Sequence, residues 1–98
     1  MDETKILKAR AASFSKQYAT NVLITETDSD VRLYSFNEII ETEEGRVAIS
    51  ENALIMTHQA AVLLYEQLKE LMVKWNSEGR NTNVSEERRG VLNLLKDP

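Results

Sequence analysis

The sequence predicts a small α+β domain, in which an antiparallel meander of three or more strands is packed by one long amphipathic helix, with short helical segments at both ends. Two hydrophobic periods predict this fold class. Apolar residues alternate from Tyr18 onward, as in half-buried strands, and repeat at spacings of three and four after Met56, as on one face of a helix. The length of 98 residues fits one domain and buries so little apolar surface that sharing a core with a second copy would add stability.

The N-terminal part of the chain carries a weak helical pattern. Leu7, Ala11 and Phe14 lie at positions i, i+4 and i+7, and Tyr18 continues the row opposite a lysine and arginine face. This pattern predicts a short amphipathic helix within residues 5–16. The predicted organisation is a helical segment at 1–17, a meander-plus-helix domain at 18–76, and a linker with a short amphipathic segment at 77–98.

Three strands are predicted after this segment. YATNVLITET alternates and is rich in β-branched residues, and VRLYSF alternates again after the turn chemistry of residues 27–30, so the two form an antiparallel hairpin. ETEEGR, residues 41–46, predicts a charged loop with Gly45 available for a positive φ. RVAIS and NALIMT then close the meander, either as strand interrupted by Ser50 and Glu51 or as one bulged strand.

The stretch MTHQAAVLLYEQLKEL predicts the long helix. Thr57 precedes the helical row and is placed to accept hydrogen bonds from the first free amides, so it is the predicted N-cap. The row that faces the sheet consists of Ala61, Leu64, Leu68, Leu71, Met72 and Trp75. His58, the single histidine, falls at the first helical position, where we expect a neutral imidazole facing solvent rather than a metal ligand or base.

Some apolar residues of this helix lie off that row and predict a second contact. They are Val62, Leu63 and Val73, which are covered either by another copy or by the C-terminal segment of the same chain. The C-terminal segment begins near Ser85, a plausible cap, and carries the apolar anchors Val91, Leu92 and Leu95. Such a short helix orders when it docks, either on its own domain or in a partner's groove. These six apolar residues are the candidate interaction site.

The net charge of −4 is unevenly distributed along the chain. Residues 1–17 carry +2, residues 18–52 carry −6 and residues 53–98 are neutral. No basic stripe suited to phosphate contacts is visible in the sequence, which argues against direct nucleic-acid binding. The acidic middle is typical of solvated loops, although it would also suit a surface that meets a basic protein.

The sequence offers no catalytic, cofactor or metal motif. It has no cysteine, its three glycines stand apart from any phosphate-binding loop, and its serines lack the context of an activated nucleophile. Glu43 and Glu44 fall in a loop predicted to be wet, which does not favour acid catalysis. The start lacks the apolar run of a signal peptide, and no stretch has the roughly eighteen apolar residues that would span a bilayer. We therefore expect a cytoplasmic, non-enzymatic protein without cofactor.

Three segments resemble a known family of small bacterial and archaeal proteins, domain of unknown function family 3467. They are YATNVLI, VRLYSFNEII and ALIMTHQAAVLLYEQLKELMVKW, within about residues 17–76. Family-like positions are Tyr18, Ala19, Asn21, Phe36, Met56, Thr57, Ala61 and Leu64. The chain departs from the family pattern at the inserted Thr20, at His58 in place of proline, and at Val62 in place of a frequent lysine. The resemblance implies a strand meander packed by one helix and brings no catalytic residues.

Two functions fit these observations. The first is a non-enzymatic protein-interaction module, homo-oligomeric with a dimer favoured, whose sheet edges and spare helix face meet protein partners. The alternative is an acidic inhibitor or nucleic-acid mimic that uses the carboxylates of residues 26–51 against a basic protein. Rising ionic strength should weaken the second kind of complex steeply and the first kind little.

Overall fold

The computed structural model describes residues 5–96 and contains one antiparallel sheet and two helices. The strands are β1 (Asn21–Glu26), β2 (Val31–Thr42) and β3 (Gly45–Met56), in the spatial order β1-β2-β3. The helices are α1 (His58–Ser77) and α2 (Glu86–Lys96). The predicted α+β meander with one long helix is therefore confirmed, as is a helix in the C-terminal segment.

The N-terminal helix is a correction to the sequence prediction. No helix forms between residues 5 and 20, and the apolar side chains of that segment are exposed, from Phe14 at 50% to Ile6 at 88%. A helix of about twelve residues is marginal in water unless one of its faces is buried, and these side chains find no such cover in the described chain. Arg10 lies over the Phe14 ring at 4.7 Å from its centroid, which is a local contact and not a core.

The β2–β3 hairpin is longer than the sequence indicated. Only Glu43 and Glu44 lie in its turn, and the predicted loop over residues 41–46 shortens to that pair because Glu41 pairs with Arg46 and Thr42 with Gly45. Gly45 has φ +133°, a conformation that favours glycine, as predicted. β3 is one bulged strand rather than two, since register shifts occur on both sides of Phe36.

The β1–β2 turn is built around one threonine hydroxyl. Thr27 Oγ1 accepts hydrogen bonds from the amides of Ser29 at 3.2 Å and Asp30 at 3.1 Å, and it donates to Asp30 Oδ1 at 2.9 Å. Asp30 also accepts from Arg32 Nε at 3.1 Å. Hydroxyl-to-backbone bonds of this kind make a tight turn, as residues 27–30 predicted.

The interior of the described chain is small. Phe36 is 8% exposed and Ser35 is 9% exposed, and they are the buried residues of residues 5–96. Ser35 donates to Asn52 Oδ1 at 2.7 Å, so its hydroxyl is satisfied. Most other apolar side chains of the strands and helices keep a substantial exposed fraction.

Candidate interaction surface

Helix α1 begins where the sequence predicted. Thr57 is its N-cap, with Oγ1 accepting from the Ala60 amide at 3.1 Å and the carbonyl accepting from the Ala61 amide at 3.1 Å. His58 is the first helical residue, its side chain is 45% exposed, and its Nε2 lies 3.8 Å from a carboxylate oxygen of Glu26. These contacts connect the first turn of α1 to the residue directly after β3 and to the end of β1.

The first half of α1 packs on one face of the sheet. Its residues Ala61, Leu64, Tyr65 and Leu68 line an apolar groove of about 140 Å³, in which Tyr65 and Leu68 remain 63% and 37% exposed. The sheet contributes one or two residues from each strand, namely Ile24, Val31, Leu33 and Met56. The sequence had placed Ala61, Leu64 and Leu68 on the sheet-facing row, and the structure confirms that part of the row.

The second half of the same row lies beyond this groove. Leu71 and Met72 are 41% and 57% exposed, and Trp75 is half-buried. These three residues continue the row but do not line the groove beneath the helix. We call Leu71, Met72 and Trp75 the open stripe. The sequence predicted its residues as part of a sheet contact, and the structure leaves that contact unmade.

Helix α2 covers part of the sheet. Val91, Leu94 and Leu95 face Ile39 and Ala48 across a second apolar groove. Leu92, with Val84, lies near Val22 of β1. The predicted cap of α2 is confirmed, because Ser85 Oγ accepts from the Arg88 amide at 3.2 Å. The C-terminal segment therefore docks on its own domain.

The structure separates the two sets of candidate interaction residues. Val91, Leu92 and Leu95 are half-buried against the sheet, whereas Val62, Leu63 and Val73 are 55%, 58% and 68% exposed on α1. Successive helical residues are about 100° apart, so Leu63 points away from both valines, and Val62 and Val73 share a side but lie about 16 Å apart along the axis. The three α1 residues thus form no single patch.

The hairpin half beyond the bulge has one covered and one open face. Ile39 and Ala48 pair with each other and face α2. Their neighbours Ile40, Val47 and Ile49 alternate to the opposite side and are 43%, 42% and 40% exposed. We call these three residues the hairpin outer face. Sequence reasoning missed it because residues 37–40 were not assigned to a strand.

A polar cluster at the bulge ties the start of β1 to the hairpin and to α2. The register shifts leave Asn37 and Glu51 without strand partners. The Asn37 side chain accepts from the Thr20 amide at 2.9 Å, and donates to the Tyr18 carbonyl and to Glu51 Oε1 at 3.0 Å. Arg88 of α2 donates to the Thr20 carbonyl. These contacts join residues up to 68 positions apart, which no local sequence pattern signals.

The acidic residues of the middle segment do not form one surface. Glu41, Glu43 and Glu44 lie at the hairpin tip, and Asp28 and Asp30 lie in the β1–β2 turn at the other end of β2. A strand of twelve residues is about 40 Å long, so the two groups are far apart. The hydrogen bond from Arg32, and then that from the Thr27 hydroxyl, hold the pKa of the Asp30 carboxyl below its ordinary value.

Two further observations concern site chemistry. Within residues 5–96, no three histidine, aspartate or glutamate side chains converge in a way that could hold a metal ion. Over the same residues, neither helix combines the length and the apolar character that crossing a bilayer requires.

No protein-family model matches the chain, and comparisons with curated proteins and with solved structures give no significant match. The resemblance to domain of unknown function family 3467 therefore stays a prediction that depends on the strand and helix motifs quoted above. Function has to be argued from the surfaces of this chain itself.

Proposed function

We propose that the protein is a small, non-enzymatic protein-interaction module that acts as a homo-oligomer, with a dimer as the favoured assembly. Its apolar helix and sheet surfaces serve association, first with a second copy and then with a protein partner. The net charge of −4 disfavours nucleic acid as that partner.

The observation that carries this proposal is the area that the chain leaves exposed. The accessible surface is 9132 Å². A folded monomer of 11.2 kDa exposes about 5,700 Å², so the chain exposes about 3,400 Å² more than its mass requires. The radius of gyration of 17.2 Å compares with about 12.5 Å for a compact domain of this length. Part of this excess belongs to the extended N-terminal segment, and the rest belongs to the strands and helices.

The apolar share of that surface supports association. Besides the open stripe and the hairpin outer face, Leu54 and Ile55 of β3 are 59% and 56% exposed, and Ile24 of β1 is 59% exposed. Burial of such a side chain contributes about 1.5–3 kcal/mol relative to leaving it in water. A domain with two buried residues gains a core of ordinary size only by sharing surfaces with another chain.

Light scattering tests the homo-oligomer directly. The purified full-length protein should have a mass of at least twice 11.2 kDa at micromolar concentration. A mass of 11.2 kDa that persists at high concentration, together with cooperative unfolding, would contradict the proposal because the monomer would then be sufficient for folding.

A pulldown at graded salt tests the nature of the partner. An apolar interface should hold its partner from low to high ionic strength, because screening acts on charge pairs and not on buried apolar area. Steep loss of a basic partner as salt rises would favour the acidic-mimic function instead.

A further inference from the structure

Helix α1 is longer than the surface that covers it. Its twenty residues extend about 30 Å, and the residues that line the groove on the sheet end at Leu68. The open stripe therefore continues the sheet-facing row for about two further turns beyond the residues that line the groove. A row that keeps one helical face apolar along its whole length is typical of a helix that is packed along its whole length.

The hairpin outer face is a second apolar surface that the described chain leaves uncovered. α2 covers the side of the hairpin that carries Ile39 and Ala48, and the opposite side, with Ile40, Val47 and Ile49, is open. A two-stranded ribbon is marginally stable unless apolar cover reaches it, and this half of the hairpin extends beyond β1. Within the described residues, nothing packs on the outer face of this half of the hairpin.

No described segment of the same chain covers either surface. α2 is already placed against the sheet, through Val91, Leu92 and Leu95. The N-terminal segment leaves Leu7 and Tyr18 85% and 80% exposed, so within the described residues it shields neither the stripe nor the hairpin. Within residues 5–96 both surfaces are therefore available to another molecule.

We infer that the open stripe of one copy packs on the hairpin outer face of a second copy, and that a two-fold axis repeats this contact, so that each chain supplies one helix end and receives another. The inference rests on the proposed homo-oligomer and names its interface. An exchange of this kind satisfies the rule for two-fold interfaces, in which surface i meets surface j and j meets i.

The exposed area suits a doubled contact. A standard interface buries about 800 Å² on each partner, and obligate dimers bury more. The extended N-terminal segment accounts for much of the excess of about 3,400 Å² per chain, and the remainder, on the order of 1,000 Å², is comparable with the first figure. A single pairing of two helix ends would leave most of the apolar surface in water, whereas the exchange covers the stripe and the hairpin of both chains.

The charges beside the two surfaces also match. Lys69 and Lys74 lie on either side of the stripe, about 60° from its edges by helical periodicity, and Glu78 at its C-terminal end is paired with Arg80 at 3.6 Å. Glu38 shares a side of the hairpin with the outer face, and Glu43 and Glu44 stand at its tip. Basic flanks on the helix therefore meet acidic flanks on the hairpin. Two copies of the stripe placed against each other would instead bring lysines together.

The first test compares two adjacent residues of α1. Met72→Glu places a charge in the stripe, and Val73→Glu places the same charge about 100° away at a site of similar exposure, 68% against 57%. We expect Met72→Glu to raise the dimer dissociation constant by at least about 100-fold and Val73→Glu by less than about 3-fold, since a charge would be buried twice in the first dimer only. Equal effects, or a larger effect of Val73→Glu, would overturn the inference and favour the Val62, Leu63 and Val73 set.

The second test mixes variants of the two surfaces. Val47→Glu should also weaken the dimer, because it alters the receiving face. Met72→Glu and Val47→Glu mixed together should form a heterodimer, because the intact stripe of one can pack on the intact hairpin of the other. A pairing of stripe with stripe predicts that Val47→Glu keeps the parent's mass, and that result would overturn the inference while leaving the homo-oligomer in place. A monomeric parent would contradict the proposed function itself.

Cysteine cross-linking provides a readout that does not depend on tolerance of a charge. The chain has no cysteine, so single variants report only the contact under study. Under mild oxidation, Met72→Cys mixed with Ile49→Cys should give a covalent heterodimer as the main product, and Val73→Cys mixed with Ile49→Cys should give little. A Met72→Cys protein that mainly cross-links to itself would show stripe against stripe, and absence of any cross-link in an otherwise dimeric protein would place the interface elsewhere. Either result would overturn the inference.

Discussion

At the residue scale, the Asn37 side chain makes hydrogen bonds at the bulge, where the regular pairing of the strands is interrupted. Its amide oxygen accepts from the Thr20 amide at 2.9 Å, and its amide nitrogen donates to the Tyr18 carbonyl and to Glu51. The backbone of residues 18–20 is thereby held beside β2 although the β1 ladder begins only at Asn21. One side chain thus replaces the hydrogen bonds of a longer strand.

Asn37→Ala should lower the free energy of unfolding by about 1–2 kcal/mol, because each lost hydrogen bond contributes about 0.5–1.5 kcal/mol and this site is partly exposed. Urea denaturation measures the change. Asn93→Ala, which removes an exposed asparagine from α2, serves as the control and should have little effect. A value for Asn37→Ala no larger than the control would show that the cluster does not hold the start of β1.

Asp30 provides a pH-dependent contribution at the β1–β2 turn. Hydrogen bonds from Arg32 and Thr27 lower the pKa of its carboxyl in the folded state. A lowered folded-state pKa means that the ionised carboxylate stabilises the fold above the unfolded value of about 4, and that this contribution is lost as the pH falls through the lowered pKa.

Asp30→Asn should therefore be less stable than the parent at pH 7, and the difference should shrink below about pH 4. Unfolding by urea across this pH range measures it, with Asp28→Asn as a control carboxylate in the same turn. A difference between parent and Asp30→Asn that stays constant down to about pH 3 would show that the ion pair is not responsible.

At the element scale, two glycines illustrate how backbone conformation decides the effect of a methyl group. Gly45 begins β3 with φ +133°, whereas Gly90 lies inside α2. A Cβ added at either position would meet no atom within 4 Å, so neither substitution causes a clash. The backbone alone separates the two cases.

Gly45→Ala should destabilise the protein by about 1 kcal/mol or more, because alanine rarely adopts that φ. Gly90→Ala should stabilise it by up to about 1 kcal/mol, because glycine is a poor helix former. The midpoint temperature of thermal unfolding should therefore fall for Gly45→Ala and rise for Gly90→Ala. Shifts of the same sign would mean that one of the two backbone conformations differs in solution.

The two helices differ in how completely the chain covers them. α2 places its apolar anchors against the sheet, and its Arg88 joins the polar cluster. α1 places half of its apolar row on the sheet and presents the other half to solvent. Helix α1, which the sequence predicted most clearly, is therefore the helix with the less complete packing within a single chain.

At the scale of the whole molecule, the accessible surface connects stability to concentration. If the apolar excess is buried between copies, folding and association are coupled, and the apparent stability rises with protein concentration by mass action. The midpoint of thermal unfolding should increase steadily from about 1 to 100 μM, and a monomer's midpoint would not change.

Leu68→Ala tests the same coupling, because Leu68 is 37% exposed at the point where the sheet contact ends and the open stripe begins. A buried leucine costs about 2–5 kcal/mol to truncate, and one that keeps a third of its surface in water costs less. In the oligomer, Leu68→Ala should lower the free energy of unfolding by this full amount. In a chain kept monomeric by Met72→Glu, the same substitution should lower it by less. Equal costs in both backgrounds would show that no second chain covers Leu68.

Most of the local structure could be predicted from the sequence, because local patterns set it. Alternation identified the three strands except the second half of β2, a threonine before a helical row identified the α1 cap, and Gly45 has the positive φ that was predicted, although the loop predicted at residues 41–46 is a turn of two residues. These features depend on contacts between residues a few positions apart, and hydrophobic period and hydrogen-bonding side chains report such contacts directly.

The tertiary structure alone decided which surfaces are covered. Whether the row at Leu7, Ala11 and Phe14 becomes a helix depends on a distant surface that buries it, and in the described chain this segment packs on none. The docking of α2, the bulge cluster of Asn37, and the halfway end of the α1 contact likewise join residues far apart in the chain. The period of a helix specifies which of its faces is apolar, and only the arrangement of the other elements specifies what meets that face.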